Sequence, residues 1–186
     1  LSVDDHKAFA PDPASVRLFI ITTSDSRTVE TNQGGRLVRE LAERAGFAIA
    51  GESLLPDDRE EIRGAIARIV EEQAADAVLL TGGTGLARRD ATVEAVSSLL
   101  ERRIDGYGEL FRMLSFAEIG PAAMLSRALA GTIGRVALFL MPGSPAAVRL
   151  AMERLILPEL THVVGELNRK GARAAHGDHG HGHSRH

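Results

Sequence analysis

Apolar residues along this chain switch repeatedly between short unbroken runs and runs spaced by three and four. Residues 16–23 (VRLFIITT) are an unbroken run of strand length, as expected for a strand buried on both faces. Within 35–45, Leu37, Val38 and Leu41 share a helical face, and Gly46 stands where such a helix closes. A strand over 47–55 and a helix over 58–72, with Ile62, Ile66, Ile69 and Val70 inward, repeat the unit. A third strand, 77–80, empties directly into Thr81-Gly82-Gly83-Thr84-Gly85. Further helical patterns cover about 91–101 and 107–116. The runs 128–133 and 136–141 are separated only by Gly134-Arg135, a turn so short that the two strands must be antiparallel. Ser144 and Pro145 then suit the N-cap and first turn of a last helix. The pattern predicts an α/β three-layer sandwich, with a mostly parallel mixed sheet and one antiparallel hairpin.

Composition narrows the class. The chain has 186 residues, 44% of them apolar, enough for one domain with a substantial core. Three parts are expected: a flexible N-terminal arm over 1–15, interrupted by Pro11 and Pro13, a single α/β domain over 16–170, and a His-rich tail over 171–186. The tail places His176, His179, His181, His183 and His186 among small and polar residues. It reads either as a flexible chelator for Zn²⁺, Ni²⁺ or Cu²⁺ or as a disordered segment with no selected ligand geometry. No apolar run nears the ~20 residues of a membrane span. The first thirteen residues carry no signal-peptide core, so a cytoplasmic protein is expected. Zero cysteines remove disulfides, thiolate metal sites and cysteine nucleophiles together. A net charge of −3 lacks the basic footprint of nonspecific nucleic-acid binding.

Candidate chemistry gathers at the strand ends. Loops 24–33, 56–58 and 81–90 leave parallel strands, and 142–145 follows the hairpin; in open α/β sheets such loops share one ligand crevice. They hold Asp25, Asp57, Asp58 and Asp90. Two carboxylates meeting there suit Mg²⁺, which takes a few carboxylates plus water and substrate phosphates. Gly82, Gly83 and Gly85 bring bare backbone N–H groups to an anion, with Ser144 and the helix N-terminus behind it helping. Each part also has a plainer reading. Asp57 can cap the helix it precedes, with Glu60 at N3, Asp90 can cap the next, and Arg88 and Arg89 can be solvated loop. The Walker pattern is missing because no lysine follows the glycines, and the dinucleotide fingerprint fails at Arg88, where glycine is required. No Ser-His-Asp arrangement is credible: His162 sits among apolar helix positions and His6 in the arm.

The blocks Thr23-Ser24-Asp25-Ser26-Arg27, Leu55-Pro56-Asp57-Asp58, Leu80-Thr81-Gly82-Gly83-Thr84-Gly85 and Arg88-Arg89-Asp90-Ala91-Thr92 resemble the MoaB/MogA family of molybdenum cofactor biosynthesis proteins. The likeness continues through Gly106-Tyr107-Gly108-Glu109-Leu110-Phe111-Arg112, Leu125-Ser126-Arg127-Ala128 and Met141-Pro142-Gly143-Ser144, and the segment 111–119 favours the MoaB branch. The resemblance implies a molybdopterin adenylyltransferase, with Mg²⁺, and with ATP and molybdopterin as substrates. It places the family's two acidic positions, catalytic and metal-holding, on Asp57 and Asp90. Thr81, Gly82, Gly83, Thr84 and Gly85, with Arg89, would hold phosphate, and Ser24, Ser126, Gly143 and Ser144 would line the pterin or nucleotide pocket. A trimer or hexamer and handover to a molybdate-inserting enzyme are implied as well. A noncatalytic molybdopterin carrier is the alternative; a metallochaperone working through the histidine tail is the third reading.

Overall fold

A computed structural model describes residues 10–169 except 27, 29 and 30; the histidine tail and most of the N-terminal arm lie outside the described residues. After a 3₁₀ turn at Pro13–Ser15, the chain forms β1 (Arg17–Thr23), α1 (Gln33–Arg44), β2 (Ala48–Leu55), α2 (Arg59–Glu71) and β3 (Ala77–Thr81). It continues through α3 (Thr92–Ser97), β4 (Arg102–Arg103), α4 (Asp105–Ile119), β5 (Leu129–Ile133) and β6 (Val136–Met141). A 3₁₀ turn, Gly120–Leu125, links α4 to β5. The last helix has three parts: α5 (Pro145–Ala151), a π turn (Met152–Ile156) and α6 (Leu157–Asn168).

The six strands lie in the order β2-β1-β3-β6-β5-β4. The first four run parallel, and β5 and β4 are antiparallel to their neighbours. Strand alternation divides the core into two layers. Leu18, Ile20, Ala77, Leu79, Phe139 and Met141 face one layer, packed with Val38 and Leu41 of α1, Phe111 of α4, and Val148 and Leu160 of the last helix. Ile21, Val78, Leu80, Leu138 and Leu140 face the other, against Ile62, Ile66 and Ile69 of α2 and Val96 of α3. All five residues of β3 are buried, which is why its sequence shows no polar alternation. The helix α1 closes as its sequence suggests: Gly46 N–H donates to the Glu43 carbonyl and Phe47 N–H to that of Ala42, a Schellman arrangement.

The structure corrects two expectations and adds a feature to the last helix. The helix expected over 91–101 stops at Ser97, and the chain then adds the short edge strand β4, which pairs Arg102 with Thr132 and Arg103 with Gly131. A two-residue edge strand of exposed arginines has no apolar periodicity to reveal it, and its charge suits a sheet edge. Gly131 lies directly against the Arg102 carbonyl, where a Cβ has no room. The helix expected over 107–116 is longer at both ends. The last helix widens into its π turn just before Pro158, which cannot donate a hydrogen bond and crowds the carbonyl four residues back.

Leu79 is fully buried in the central strand. Leu79→Ala should lower stability by about 2–5 kcal/mol, read from the urea midpoint. An unchanged midpoint would remove β3 from the centre of the core.

Candidate functional site

Four neighbouring parallel strands point the same way, so their following loops meet at one edge of the sheet. There they enclose an open cavity of about 350 Å³. Thr23, Ser24, Asp25 and Ser26 come from the end of β1 and Asp57 from the end of β2. The segment after β3 supplies Gly82, Gly83, Thr84, Gly85, Arg89 and Asp90, and that after β6 supplies Gly143 and Ser144.

Two of the glycines are required by space and conformation. Gly82 has φ +107°, and a Cβ there would run into the Thr23 carbonyl. Gly83 has φ +59°, and a Cβ would strike the Thr92 hydroxyl and lie 2.5 and 2.8 Å from the Asp57 carboxylate oxygens. The backbone therefore passes directly over Asp57. Gly85 is equally close to Asp90, 2.5 Å from a would-be Cβ to Oδ2.

Asp57 does not cap the helix it precedes. Asp58 does, its Oδ1 accepting from the N–H groups of Glu60 and Glu61 at 2.9 and 3.0 Å. Asp57 Oδ1 instead accepts from Ala91 N–H and the Thr92 hydroxyl, both at 3.1 Å. Thr92 and Thr23 are buried and share a further 2.9 Å hydrogen bond. Asp57 N–H donates to Asp25 Oδ1 at 2.9 Å. Oδ2 of Asp57 makes no hydrogen bond among the described residues. Asp90 is no cap either: its Oδ2 accepts from Ala87 N–H at 3.0 Å, closing the loop on itself, and α3 starts without a side-chain cap of its own. Ser144 Oγ caps α5 through Ala147 N–H at 3.3 Å while lining the cavity.

Two of the expected binding residues lie elsewhere. Thr81 is fully buried, and its hydroxyl donates to the Pro142 carbonyl at 3.4 Å, tying β3 to the loop after β6. Ser126 ends the 3₁₀ turn after α4 and is not part of the cavity wall. Of the two arginines, Arg89 lines the cavity, whereas Arg88 lines a neighbouring groove beside Arg59 and Arg127.

Residues 19–162 match the family model described as a probable molybdopterin binding domain. The chain belongs to this family. It is 51% identical to molybdenum cofactor biosynthesis protein B of Bacillus cereus over 171 residues, covering 91% of this chain and all of that protein. A crystal structure of a molybdenum cofactor biosynthesis protein B, also 51% identical, superimposes with TM-score 0.82 over 86% of this chain and all of that one. The tungsten cofactor synthesizing protein MoaB from Pyrococcus furiosus, 32% identical, gives TM-score 0.76 over 85% of this chain and all of its own. The chain is thus of the MoaB/MogA kind in both sequence and fold.

Three more residues shape this molybdopterin-binding domain's cavity: Asp25, which the sequence offered only as one of four crevice acids, and Thr92 and Arg127, to which it gave no role of their own. Asp25 receives the Asp57 N–H, Thr92 holds the Asp57 carboxylate, and Arg127 grips the glycine segment. A hydroxyl one residue after the loop's final N–H is the only local signal for Thr92; nothing near Arg127 in sequence points to Thr84 and Gly85, 43 and 42 residues away. No helix among the described residues is long and apolar enough to cross a membrane. No three His, Cys, Asp or Glu side chains among the described residues converge closely enough to form a metal cage by themselves. A Mg²⁺ ion here would need water and phosphate oxygens as well, its usual preference. The available Asp57 oxygen, with two further carboxylates nearby, fits such a partial site.

Burial pushes the Asp57 carboxyl above its usual 3.8, and the charges of Asp90 and Asp25 add to it; the bonds from Ala91 and Thr92 offset only part. A raised value means that the folded state holds this proton more tightly than the unfolded chain. Stability from this group is therefore full below 3.8 and lost as pH rises through the folded value, leaving a cost at neutral pH. Asn keeps an oxygen for both accepted bonds. Asp57→Asn should therefore melt above the wild type at pH 7, with the gap narrower at pH 4. A variant that melts lower at pH 7 would contradict this balance.

Proposed function

We propose that this chain transfers AMP from Mg-ATP to the terminal phosphate of molybdopterin, releasing pyrophosphate. The observation that carries the reading is the Asp57 carboxylate. It is tied down through one oxygen, with the other unpaired among the described residues, beneath a glycine backbone and beside Asp90 in one cavity. The names of the relatives support the pathway.

In this reaction a phosphate oxygen of the pterin attacks the α-phosphorus of ATP. The bond from that phosphorus to the bridging oxygen breaks, and its electron pair leaves with pyrophosphate. The nucleophile is already anionic near neutral pH, so no histidine or cysteine is required. The protein must align two mutually repelling anions in line and stabilise the charge between them. Asp57 and Asp90 would hold Mg²⁺, which neutralises the triphosphate and orients it. Backbone N–H groups of the glycine segment, with Arg89, bind phosphate oxygens. Ser24, Gly143 and Ser144 line the remainder of the cavity, where pterin or nucleotide is seated.

Self-association belongs to the same reading. Leu110, Met113, Phe116 and Ile119 of α4 and Met124 and Leu125 of the next turn are all exposed, a concentration of large apolar side chains in one stretch of the chain of the kind that marks an interaction surface. A trimer or hexamer would cover it, and the product would pass to a molybdate-inserting enzyme. Phe116→Glu should shift the mass measured by light scattering toward the monomer. A wild-type monomer at micromolar concentration would end this part of the proposal.

The decisive assay measures pyrophosphate released from Mg-ATP with and without molybdopterin. Release should depend on the pterin, and Asp57→Asn or Asp90→Asn should each lower it by on the order of a hundredfold while the fold persists. Wild type that binds the pterin yet releases no pyrophosphate would make the protein a carrier.

A further inference from the structure

Arg127 sits behind the glycine segment, not in the cavity. It follows the 3₁₀ turn after α4, and its guanidinium donates to three backbone carbonyls of one segment and to one carboxylate. Nε donates to the Thr84 carbonyl at 3.0 Å; Nη2 donates to the carbonyls of Gly85 and, at 3.4 Å, Asp90. Nη1 is paired with Glu94 of α3. The side chain is 23% exposed and lines the neighbouring groove.

The peptides of this segment are trans, so each C=O points opposite to the N–H of the next residue. A carbonyl drawn to Arg127 therefore turns an N–H the other way. The Asp90–Ala91 peptide shows the result directly: its C=O meets Arg127 and its N–H meets Asp57 Oδ1. The Thr84–Gly85 and Gly85–Leu86 peptides are held by the same guanidinium, and the N–H groups of Gly85 and Leu86 have no partner among the described residues. Thr84 and Gly85 line the cavity.

We infer that Arg127 is the positioning residue that polarises the glycine segment, drawing its carbonyls away from the cavity and turning the Gly85 N–H toward bound phosphate. Without it, these peptides are free to rotate and present carbonyl oxygens, which repel an anion. The planar fork matters, because it sets donors on separate nitrogens against carbonyls and Glu94 at once, whereas the three donors of a lysine share one nitrogen and cannot keep all of these contacts in place. That the anion is a nucleotide phosphate rests on the adenylyl-transfer reading of the cavity; the grip of Arg127 on the loop does not.

Two measurements on the full chain test this. In steady-state assays Arg127→Met, which keeps length and loses every donor, should raise KM for Mg-ATP by about tenfold or more and change kcat by less than about threefold. Arg127→Lys should fall between it and the wild type. A folded Arg127→Met with unchanged KM, or one that loses only kcat, overturns the inference. Hydrogen exchange of the ligand-free protein provides the second measurement: amides in segment 83–91 should exchange faster in Arg127→Met while the β3 amides stay protected. Equal protection in segment 83–91 overturns the inference too. If the wild type neither binds nor turns over Mg-ATP, the nucleotide reading fails alone. Titration with inorganic pyrophosphate then decides Arg127: weaker binding in the Met variant upholds the role, and equal binding ends it.

Discussion

The cavity depends on a backbone approach that tolerates no side chain. Gly83 crosses over the Asp57 carboxylate and the Thr92 hydroxyl so closely that a Cβ would fall nearer to them than real Cβ contacts come, and at Gly82 a Cβ would run into the Thr23 carbonyl. These contacts join the ends of β1, β2 and β3 and the start of α3 into one unit. Asp57 is the centre of it. Its backbone N–H is anchored by Asp25, its Oδ1 by Ala91 and Thr92, and Thr92 by Thr23. A side chain at Gly83 would force the loop away and release all of them together.

The same arrangement creates electrostatic strain that a stable fold does not need. Three carboxylates line one cavity, and burial makes the proton of Asp57 harder to remove than that of an ordinary carboxyl. Arginine is put to use behind the loop: Arg127 pairs with Glu94 and faces the neighbouring groove. Burial by itself would raise the Glu94 carboxyl, but the Arg127 hydrogen bond, a backbone hydrogen bond and the charges of Arg127 and Arg59 together outweigh it and hold Glu94 below the usual range. That pair stabilises the protein above the usual carboxylate pKa and weakens as pH falls through the folded value. Glu94 is thus paired behind the loop, while Asp25, Asp57 and Asp90 gather in front of it with Arg89 on the same cavity wall.

Much of the fold was readable because burial leaves a periodic trace. Unbroken apolar runs marked β1, β3 and β6, apolar spacing marked α1 and α2, and the two-residue gap at Gly134-Arg135 required the hairpin. Where burial leaves no trace, reading failed. The strand β4 consists of two exposed arginines defined only by pairing with β5. Glycine density also marked the segment after β3 as one where backbone approaches something closely. Local chemistry, however, left each acid with two readings, because a residue preceding a helix looks alike whether it caps that helix or faces a ligand.

The sequence by itself determined the layer architecture and the strand-end loops that carry the candidate residues, since both follow from hydrophobic spacing and glycine placement along the chain. Tertiary structure decided what each residue does within those loops. It assigned the cap to Asp58 and freed Asp57, withdrew Thr81 into the core, left Ser126 outside the cavity, and brought Arg127 and Thr92 to the loop and its carboxylate. The physical reason is separation: the hydrogen bonds that bind Thr81, Thr92 and Arg127 to their partners join residues more than thirty positions apart, and only the packed sheet sets the distance and angle at which donors meet acceptors.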